Sequence, residues 1–298
     1  MHNMKLRVGS RDSQLAVIQS EIVMAALREA HPEIELELVT MKTTGDRILD
    51  RTLEKIGGKG LFVKELDAAL REGRVDLTVH SCKDLPMELP EDLPIAAFLR
   101  REDPRDALVL PLGASVWNRS RPTGSASPRR RLQLEGLFPD VEVRPVRGNV
   151  PTRLHKLDSG EFGALVLAAA GLKRLGLEER VCRYFEPEEL LPAAGQGILA
   201  VQCRSDMDMS VLDCLRDQTA EACARAERAF VAELGGGCSS PLTAYAAVCG
   251  DTLTITGLYA DKYAHVRKDT ASGPAADGRA LAVQLAKRLR EDGACPEK

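Results

Sequence analysis

Apolar residues in this chain alternate between short strand-like runs and longer stretches with helical spacing. Residues 5–10, Lys-Leu-Arg-Val-Gly-Ser, read as a short strand that stops at a glycine. Residues 12–28 carry apolar side chains at helical intervals, with Asp12 or Ser13 as the cap. Residues 35–41 alternate like a strand, residues 64–73 form a helix ended by glycine, and residues 75–80 form another strand. This β-α-β-α-β order predicts an α/β domain on a parallel sheet, with ligands at the carboxyl ends of the strands. Two polar segments fall at those ends: Ser10-Arg-Asp-Ser13 and Ser81-Cys-Lys-Asp84.

A charged, proline-broken stretch at residues 100–106 reads as a linker. A second α/β run follows, with strands near 107–110, 141–144 and 164–168 and helices after 128 and around 154–157. Residues 191–197, Leu-Pro-Ala-Ala-Gly-Gln-Gly, form a second crossing, and residues 198–203 look like a strand returning to the first domain. Two α/β domains joined by two crossings make a hinged cleft. From about residue 217 the pattern changes to a small α+β unit: a helix over 221–234, strands near 244–248 and 253–259, and a helix near 280–290. The expected domains are therefore 1–99 with 197–216, then 100–196, then 217–298.

Composition narrows the function classes. The 298 residues are 44% hydrophobic, ordinary for globular domains, and carry a formal net charge of −3. Aromatics are only 4%, which argues against base-stacking surfaces for nucleic acid. No stretch has the apolar length of a membrane span, and the N-terminus lacks a secretory apolar core, so a cytoplasmic protein is expected. The eight cysteines include no Cys-x-x-Cys pair and histidines are scattered, so neither a metal site nor a disulfide framework is expected.

Against this mildly acidic background, six arginines (Arg129, Arg130, Arg131, Arg144, Arg147 and Arg153) lie within 25 residues. Arginine grips carboxylates and phosphates with a rigid fork, so the cluster suggests a small anionic ligand. Arg131 fits a solvated helix face. Arg129 and Arg130 follow Gly124-Ser-Ala-Ser-Pro, a turn feeding a helix N-terminus, where free N–H groups suit an anion. Asp84 at a strand end is either a helix cap or a partner of Lys83; in an arginine-rich cleft a carboxylate also suits the stabilisation of a reaction cation. Cys238 follows Gly235-Gly-Gly; on spacing alone an ordinary glycine-rich turn with a spectator thiol is the better reading. The stretch from Thr44 to Phe62, with Lys55 and Lys59, lacks phosphate-loop spacing and reads as a lid.

Taken together, these segments resemble the porphobilinogen deaminase (hydroxymethylbilane synthase) family. The resemblance rests on Arg11-Asp-Ser-Gln-Leu-Ala, Gly57-Gly-Lys-Gly-Leu-Phe-Val-Lys-Glu-Leu, His80-Ser-Cys-Lys-Asp-Leu-Pro, Arg101-Glu-Asp-Pro-Arg-Asp-Ala, Arg147-Gly-Asn-Val-Pro-Thr-Arg, Ala170-Gly-Leu-Lys-Arg-Leu-Gly, Gly195-Gln-Gly and Gly236-Gly-Cys, in order and at family-like spacing. It implies two periplasmic-binding-protein-like α/β domains and a small C-terminal α+β domain. It also implies an enzyme, a transferase that joins four porphobilinogen molecules head to tail with loss of ammonia and releases hydroxymethylbilane, for haem and other tetrapyrroles. The implied cofactor is a dipyrromethane held by a thioether to Cys238, which reverses the spectator reading of that thiol. Asp84 is then the catalytic carboxylate facing the pyrrole nitrogens. Arg11, Ser13, Gln19, Ser81, Lys83, Ser125, Ser127, Arg129, Arg130, Arg147, Gly148, Arg153 and Arg174 are then the groups around the acetate and propionate chains. Six pyrrole rings with two carboxylates each bring roughly twelve negative charges, which a net acidic protein holds only with a concentrated cationic lining. A monomer is implied.

The chain departs from the family pattern at Ala126 and Pro128, which remove a side-chain donor and a backbone N–H, and at Ser240 and Thr243 after the cofactor cysteine. Cys82 beside Lys83 reads as a space-filler. The alternative function is a non-catalytic two-domain clamp for a small polyanion, which leaves Asp84 and Cys238 without a task. A nucleic-acid binder is disfavoured by the acidic balance.

Overall fold

The computed structural model describes residues 4–47, 63–237, 240–261 and 265–291. Three sheets organise the chain. The first has the order β2-β1-β3-β10-β4, built from β1 (Lys5–Arg11), β2 (Glu35–Met41), β3 (Leu77–Ser81), β4 (Ile95–Phe98) and, from much later in the chain, β10 (Leu199–Cys203). Helices α1 (Gln14–Ala30) and α2 (Lys64–Arg71) connect its first three strands, which run parallel. Ser13, not Asp12, caps α1: its Oγ accepts from the Ala16 N–H at 3.4 Å. The core between α1 and the sheet contains Val23, Met24 and Leu27 against Leu6, Val8, Leu77, Val79 and Val201.

The second sheet repeats the arrangement in the order β7-β6-β8-β5-β9. Its strands are β5 (Asp106–Val109), β6 (Thr123–Gly124), β7 (Val143–Arg144), β8 (Ala164–Ala168) and β9 (Val181–Phe185), with α3 (Pro128–Leu137), α4 (Val150–Asp158) and α5 (Ala169–Arg174) between them. The period of two divides its apolar residues between two cores. Ala107, Val109, Leu165 and Leu167 pack toward Leu154 and Leu157 of α4, whereas Leu108, Leu110, Ala164 and Val166 pack toward Leu134 of α3. With both faces covered, the central strands read as continuous apolar runs.

Both α/β sheets are mixed rather than purely parallel. β5 runs antiparallel to β8 and β9, and β10 antiparallel to β3 and β4. The cause is the double crossing: the chain leaves the first sheet from its edge strand β4 to enter the second at β5, and leaves the second from β9 to re-enter the first at β10. Strands β4, β6 and β9, two to five residues long, have no counterpart among the elements read from the hydrophobic pattern.

The small third unit packs α6 (Gln218–Glu233) and α7 (Gly278–Glu291) on an antiparallel sheet β11-β12-β13, formed by Thr243–Cys249, Thr252–Ala260 and Val266–Pro274. Phe230, Val231, Ile255, Leu285 and Leu289 form its core. The apolar pattern misses β13 because its residues are mostly polar; it pairs through hydroxyls, Thr254 with Ser272 and Thr256 with Thr270, both at 2.9 Å. The fold is thus α/β, with two sheet-containing domains and a small C-terminal domain. No helix among the described residues is long and apolar enough to cross a membrane.

Candidate functional site

The strand ends supply the first wall. Arg11 closes β1, and Ser81 closes β3. The buried Gln19 of α1 donates from Nε2 to Ser81 Oγ at 2.9 Å, fixing that hydroxyl. His80 beneath is buried, and its ring nitrogen Nε2 lies 2.9 Å from Thr78 Oγ1. Burial, then the charge of Arg11, push the imidazole down to about 3, so it is neutral. After β3 a single 3-10 turn, Cys82–Asp84, presents Lys83 half-buried and Asp84 exposed, while Cys82 is fully buried. Burial pushes the Cys82 thiol up to about 11, which suits the space-filling role.

The second wall comes from the arginine segment. Pro128 occupies the start of α3, where a missing N–H is harmless, and Ser127 Oγ caps the helix by accepting from the Arg130 N–H at 3.4 Å. Ser125 is buried, and its Oγ accepts from the Ser127 N–H at 3.3 Å. The serines at 125 and 127 are thereby fixed although Ala126 and Pro128 intervene. Downstream, Asn149 caps α4 by accepting from the Thr152 N–H at 3.0 Å. Gly148 has φ +113°, and a Cβ there would lie 2.6 Å from the Thr152 methyl, so the tight entry to α4 requires glycine. The Gly148 carbonyl accepts from Arg153 Nε at 2.8 Å and aims that guanidinium.

The six arginines separate. Arg131 pairs with Glu135 one turn on, at 2.8 Å, and Arg144 with Glu142 at 2.7 Å, both exposed. Arg129 and Arg130 turn inward and are buried around Asp106, each 2.7 Å from one of its oxygens. Arg129 also donates to the Leu191 carbonyl at 2.7 Å, and Arg130 to the Val166 carbonyl at 3.0 Å. Burial alone would raise the Asp106 carboxyl, but the two guanidiniums hold it well below the usual carboxylate range. The sequence presented this pair as ligands for an external anion; the fold supplies an internal one. Arg129 Nε, buried, has no hydrogen-bond partner.

Asp106 and Gln196 went unrecognised in the sequence. Gln196, fully buried on the second crossing, accepts from Lys83 Nζ at 3.2 Å and donates to Asp106 at 2.9 Å and to the Pro104 carbonyl. It therefore joins the two walls at the hinge. The only available signal was its place in Gly195-Gln-Gly. Burial, then Arg130, pull Lys83 down to about 8, with Asp84 and Asp106 opposing. Arg153 is lowered to about 10 by burial, then by Arg130 and Arg147, with Asp84 opposing. Lys83 and Arg153 therefore each lie within electrostatic range of Arg130 and Asp84, across the two walls, and Arg153 also within range of Arg147.

Arg174 is placed differently. It donates to the Gly197 carbonyl at 2.7 Å and lies near Glu102, so it braces the crossing. Cys238, Lys55 and Lys59 fall outside the described residues. On either side of the cysteine loop, Ser240 Oγ accepts from the Gly237 N–H at 3.0 Å and donates to the Gly237 carbonyl at 2.8 Å. Thr243, buried, donates from Oγ1 to the Pro192 carbonyl at 2.5 Å, tying the third unit to the second crossing. Both departures thus carry polar contacts. Among the described residues no cluster of histidine, cysteine or carboxylate could hold a metal ion.

These features define an α/β protein with two sheet-containing domains, whose strand ends and crossings gather buried cations near the exposed Asp84, and a small third domain tied to the second crossing. Two family models match it: the dipyromethane cofactor binding domain of porphobilinogen deaminase over residues 6–211, and the C-terminal domain of the same family over 221–291. The porphobilinogen deaminase of Acetivibrio thermocellus is 54% identical over 96% of this chain and 98% of its own length. Those of Ruminiclostridium cellulolyticum, at 55% over 96% and 97%, and Chromobacterium violaceum, at 49% over 98% and 96%, are also similar. Among solved structures, the periplasmic aliphatic sulphonate binding protein SsuA from Escherichia coli is similar with a TM-score of 0.43 and 14% identity, over 99% of this chain and 89% of that chain. The chain belongs to the porphobilinogen deaminase family, transferases of tetrapyrrole synthesis. The non-catalytic clamp is not favoured.

Proposed function

We propose that this chain joins four porphobilinogen molecules into hydroxymethylbilane on a dipyrromethane bound through a thioether to Cys238, with Asp84 as its catalytic carboxylate. The observation that carries the reading is the charge imbalance of the cleft. Lys83, Arg129, Arg130, Arg147 and Arg153 gather near Asp84 and the buried Asp106, and burial first, then repulsion from Arg130, lowers both Lys83 and Arg153. Such a cluster is stable when ligand carboxylates complete it, so the residues fit the acetate and propionate groups of oligopyrroles.

When bound, the dipyrromethane supplies the pyrrole carbon to which the first substrate is joined. Ser13, Ser81, Ser125 and Ser127 offer hydroxyls, and Arg11, Lys83, Arg147 and Arg153 offer cations, to the carboxylates of the incoming ring. Arg129 and Arg130, held by Asp106, contribute their field and the free Arg129 Nε. Porphobilinogen loses ammonia to leave a cation on its own ring, and the exposed Asp84 carboxylate stabilises that cation beside the pyrrole N–H. Asp84 then takes the proton released when the new carbon–carbon bond forms. Lys55 and Lys59 belong to a lid, and Arg174 keeps the crossing in place. The domain boundaries we propose are 1–99 with 197–216, 100–196 and 217–298. The enzyme works as a cytoplasmic monomer.

The test combines intact mass with turnover. Purified protein should carry the mass of two porphobilinogen units less two ammonias, absent from Cys238→Ser. Asp84→Asn should keep that mass and fold but lose turnover by at least about 100-fold, the scale of a lost general base. Near-normal turnover in Asp84→Asn excludes the catalytic assignment. Cys238→Ser that still bears pyrrole excludes the attachment site.

A further inference from the structure

One charged side chain of the third domain is buried against the segment that carries Asp84. Arg228, midway along α6, is 8% exposed. Its guanidinium donates to the Pro86 carbonyl at 2.5 Å and the Met87 carbonyl at 3.2 Å, with a longer contact of 3.5 Å to the Leu85 carbonyl. It also meets the Cys82 thiol. The four groups bracket Asp84 in sequence, Cys82 before it and Leu85, Pro86 and Met87 after it. None of the four is a carboxylate. A guanidinium withdrawn from water to serve neutral carbonyls is a costly way to join two domains, since apolar packing would do so at less cost.

That apolar packing is already present. Ala220 and Ala224 of α6 lie in one core with Cys82, Leu85, Phe98, Ile198 and Ala200. The neighbouring Glu227 is committed elsewhere, to Arg101 at 2.7 Å and to the Gly195 and Ala246 N–H groups at 2.6 and 2.7 Å. Arg228 is thus the polar link from α6 to the turn bearing the acid. The same helix ends at Glu233 and runs into the glycine loop that leads to Cys238.

We propose that Arg228 is a positioning residue that sets the place of Asp84 relative to the cofactor loop by clamping the 85–87 carbonyls to α6. The inference rests on the reading of Asp84 as the catalytic carboxylate. Asp84 itself is exposed at the end of a three-residue turn, with no helix or strand of its own to fix it. Displacement of a reacting group by about 1 Å costs roughly 100-fold in rate. A planar fork meets several adjacent carbonyls at fixed angles, which a lysine ammonium does not reproduce.

The experiment compares Arg228→Met and Arg228→Lys with the unmodified holoenzyme in intact mass, melting temperature, and kcat and KM for porphobilinogen. The expected result is retained cofactor mass in both, KM within about twofold, kcat reduced roughly 10- to 100-fold in Arg228→Met, and partial recovery in Arg228→Lys. Unchanged kcat in cofactor-bearing protein overturns the inference. So does a raised KM with kcat intact, which would make Arg228 a substrate-binding residue. Activity lost only in proportion to lost fold or lost cofactor in both variants also overturns it, leaving a purely structural link. Asp84→Asn is run alongside: if it turns over normally, the catalytic reading fails on its own account, whatever Arg228 does.

Discussion

Lys83 shows how a single residue couples charge to function here. Its ammonium sits near Arg130 and Arg129, and burial with those cations lowers it from 10.5 to about 8. The protonated form therefore costs stability in the free enzyme. That cost is full below pH 8 and fades as pH rises from 8 to 10.5, where the unfolded chain still binds the proton. Function runs the other way, because the ammonium is the form that holds a carboxylate. The kcat/KM for porphobilinogen is expected to fall on the alkaline side with an apparent pKa near 8, while the kcat limb lies higher because bound carboxylates stabilise the cation. Lys83→Arg should keep the cation and move the kcat/KM limb beyond pH 10. A rate profile of both proteins from pH 6 to 10 decides, and an identical limb in Lys83→Arg excludes Lys83 as its source. The sequence offered Lys83 as a candidate binding cation, but its lowered pKa was not legible there. The lowering depends on burial and on Arg130, distant in sequence and brought near only by the double crossing. For the same reason Asp106, hidden in a run of charges that reads as a linker, emerges as the buried counter-ion of Arg129 and Arg130.

At the scale of elements, the two crossings are more than connectors. Residues 101–105 and 191–198 hold each other: Arg101 Nε donates to the Gln196 carbonyl at 3.0 Å, and the Glu102 N–H to the Gly197 carbonyl at 3.2 Å. Gly197 has φ +89°, and a Cβ there would collide with the Glu102 carbonyl oxygen. Gly197→Ala is therefore expected to destabilise by about 1–3 kcal/mol from the strained angle alone. It should also separate the two crossings, lowering kcat and KM-dependent binding together, because Arg174 and Gln196 anchor there. Thermal melting with steady-state kinetics checks this, and a wild-type melting temperature would show that the crossing yields freely. The hydrophobic pattern revealed most helices and most of the sheet strands, where each buries an apolar face. It did not reveal β4, β6 or β9, nor β13, whose polar hydroxyl pairs carry little apolar signal. It also predicted parallel sheets, because strand direction at β5 and β10 follows from chain crossings and not from local sequence.

For the whole molecule, a chain of net charge −3 concentrates its cations where two domains face each other. Without anions, Lys83 on one wall and Arg130 on the other repel. A tethered dipyrromethane would place four carboxylates in the cleft at high effective concentration, acting as a ligand that binds the folded state only. Cys238→Ser, lacking that tether, is expected to melt lower by about 5–10 °C, the shift that roughly 3 kcal/mol gives in a protein of this size. The same variant should be cut sooner by protease in the crossings. A soluble polycarboxylate should recover part of the lost stability, with an effect that weakens as salt rises, because screening relieves the repulsion it neutralises. Differential scanning calorimetry of both proteins, with and without polycarboxylate and at two ionic strengths, makes the comparison. Equal melting temperatures at low salt would mean that the cleft cations are balanced within the protein, and that the charge imbalance does not drive cofactor retention.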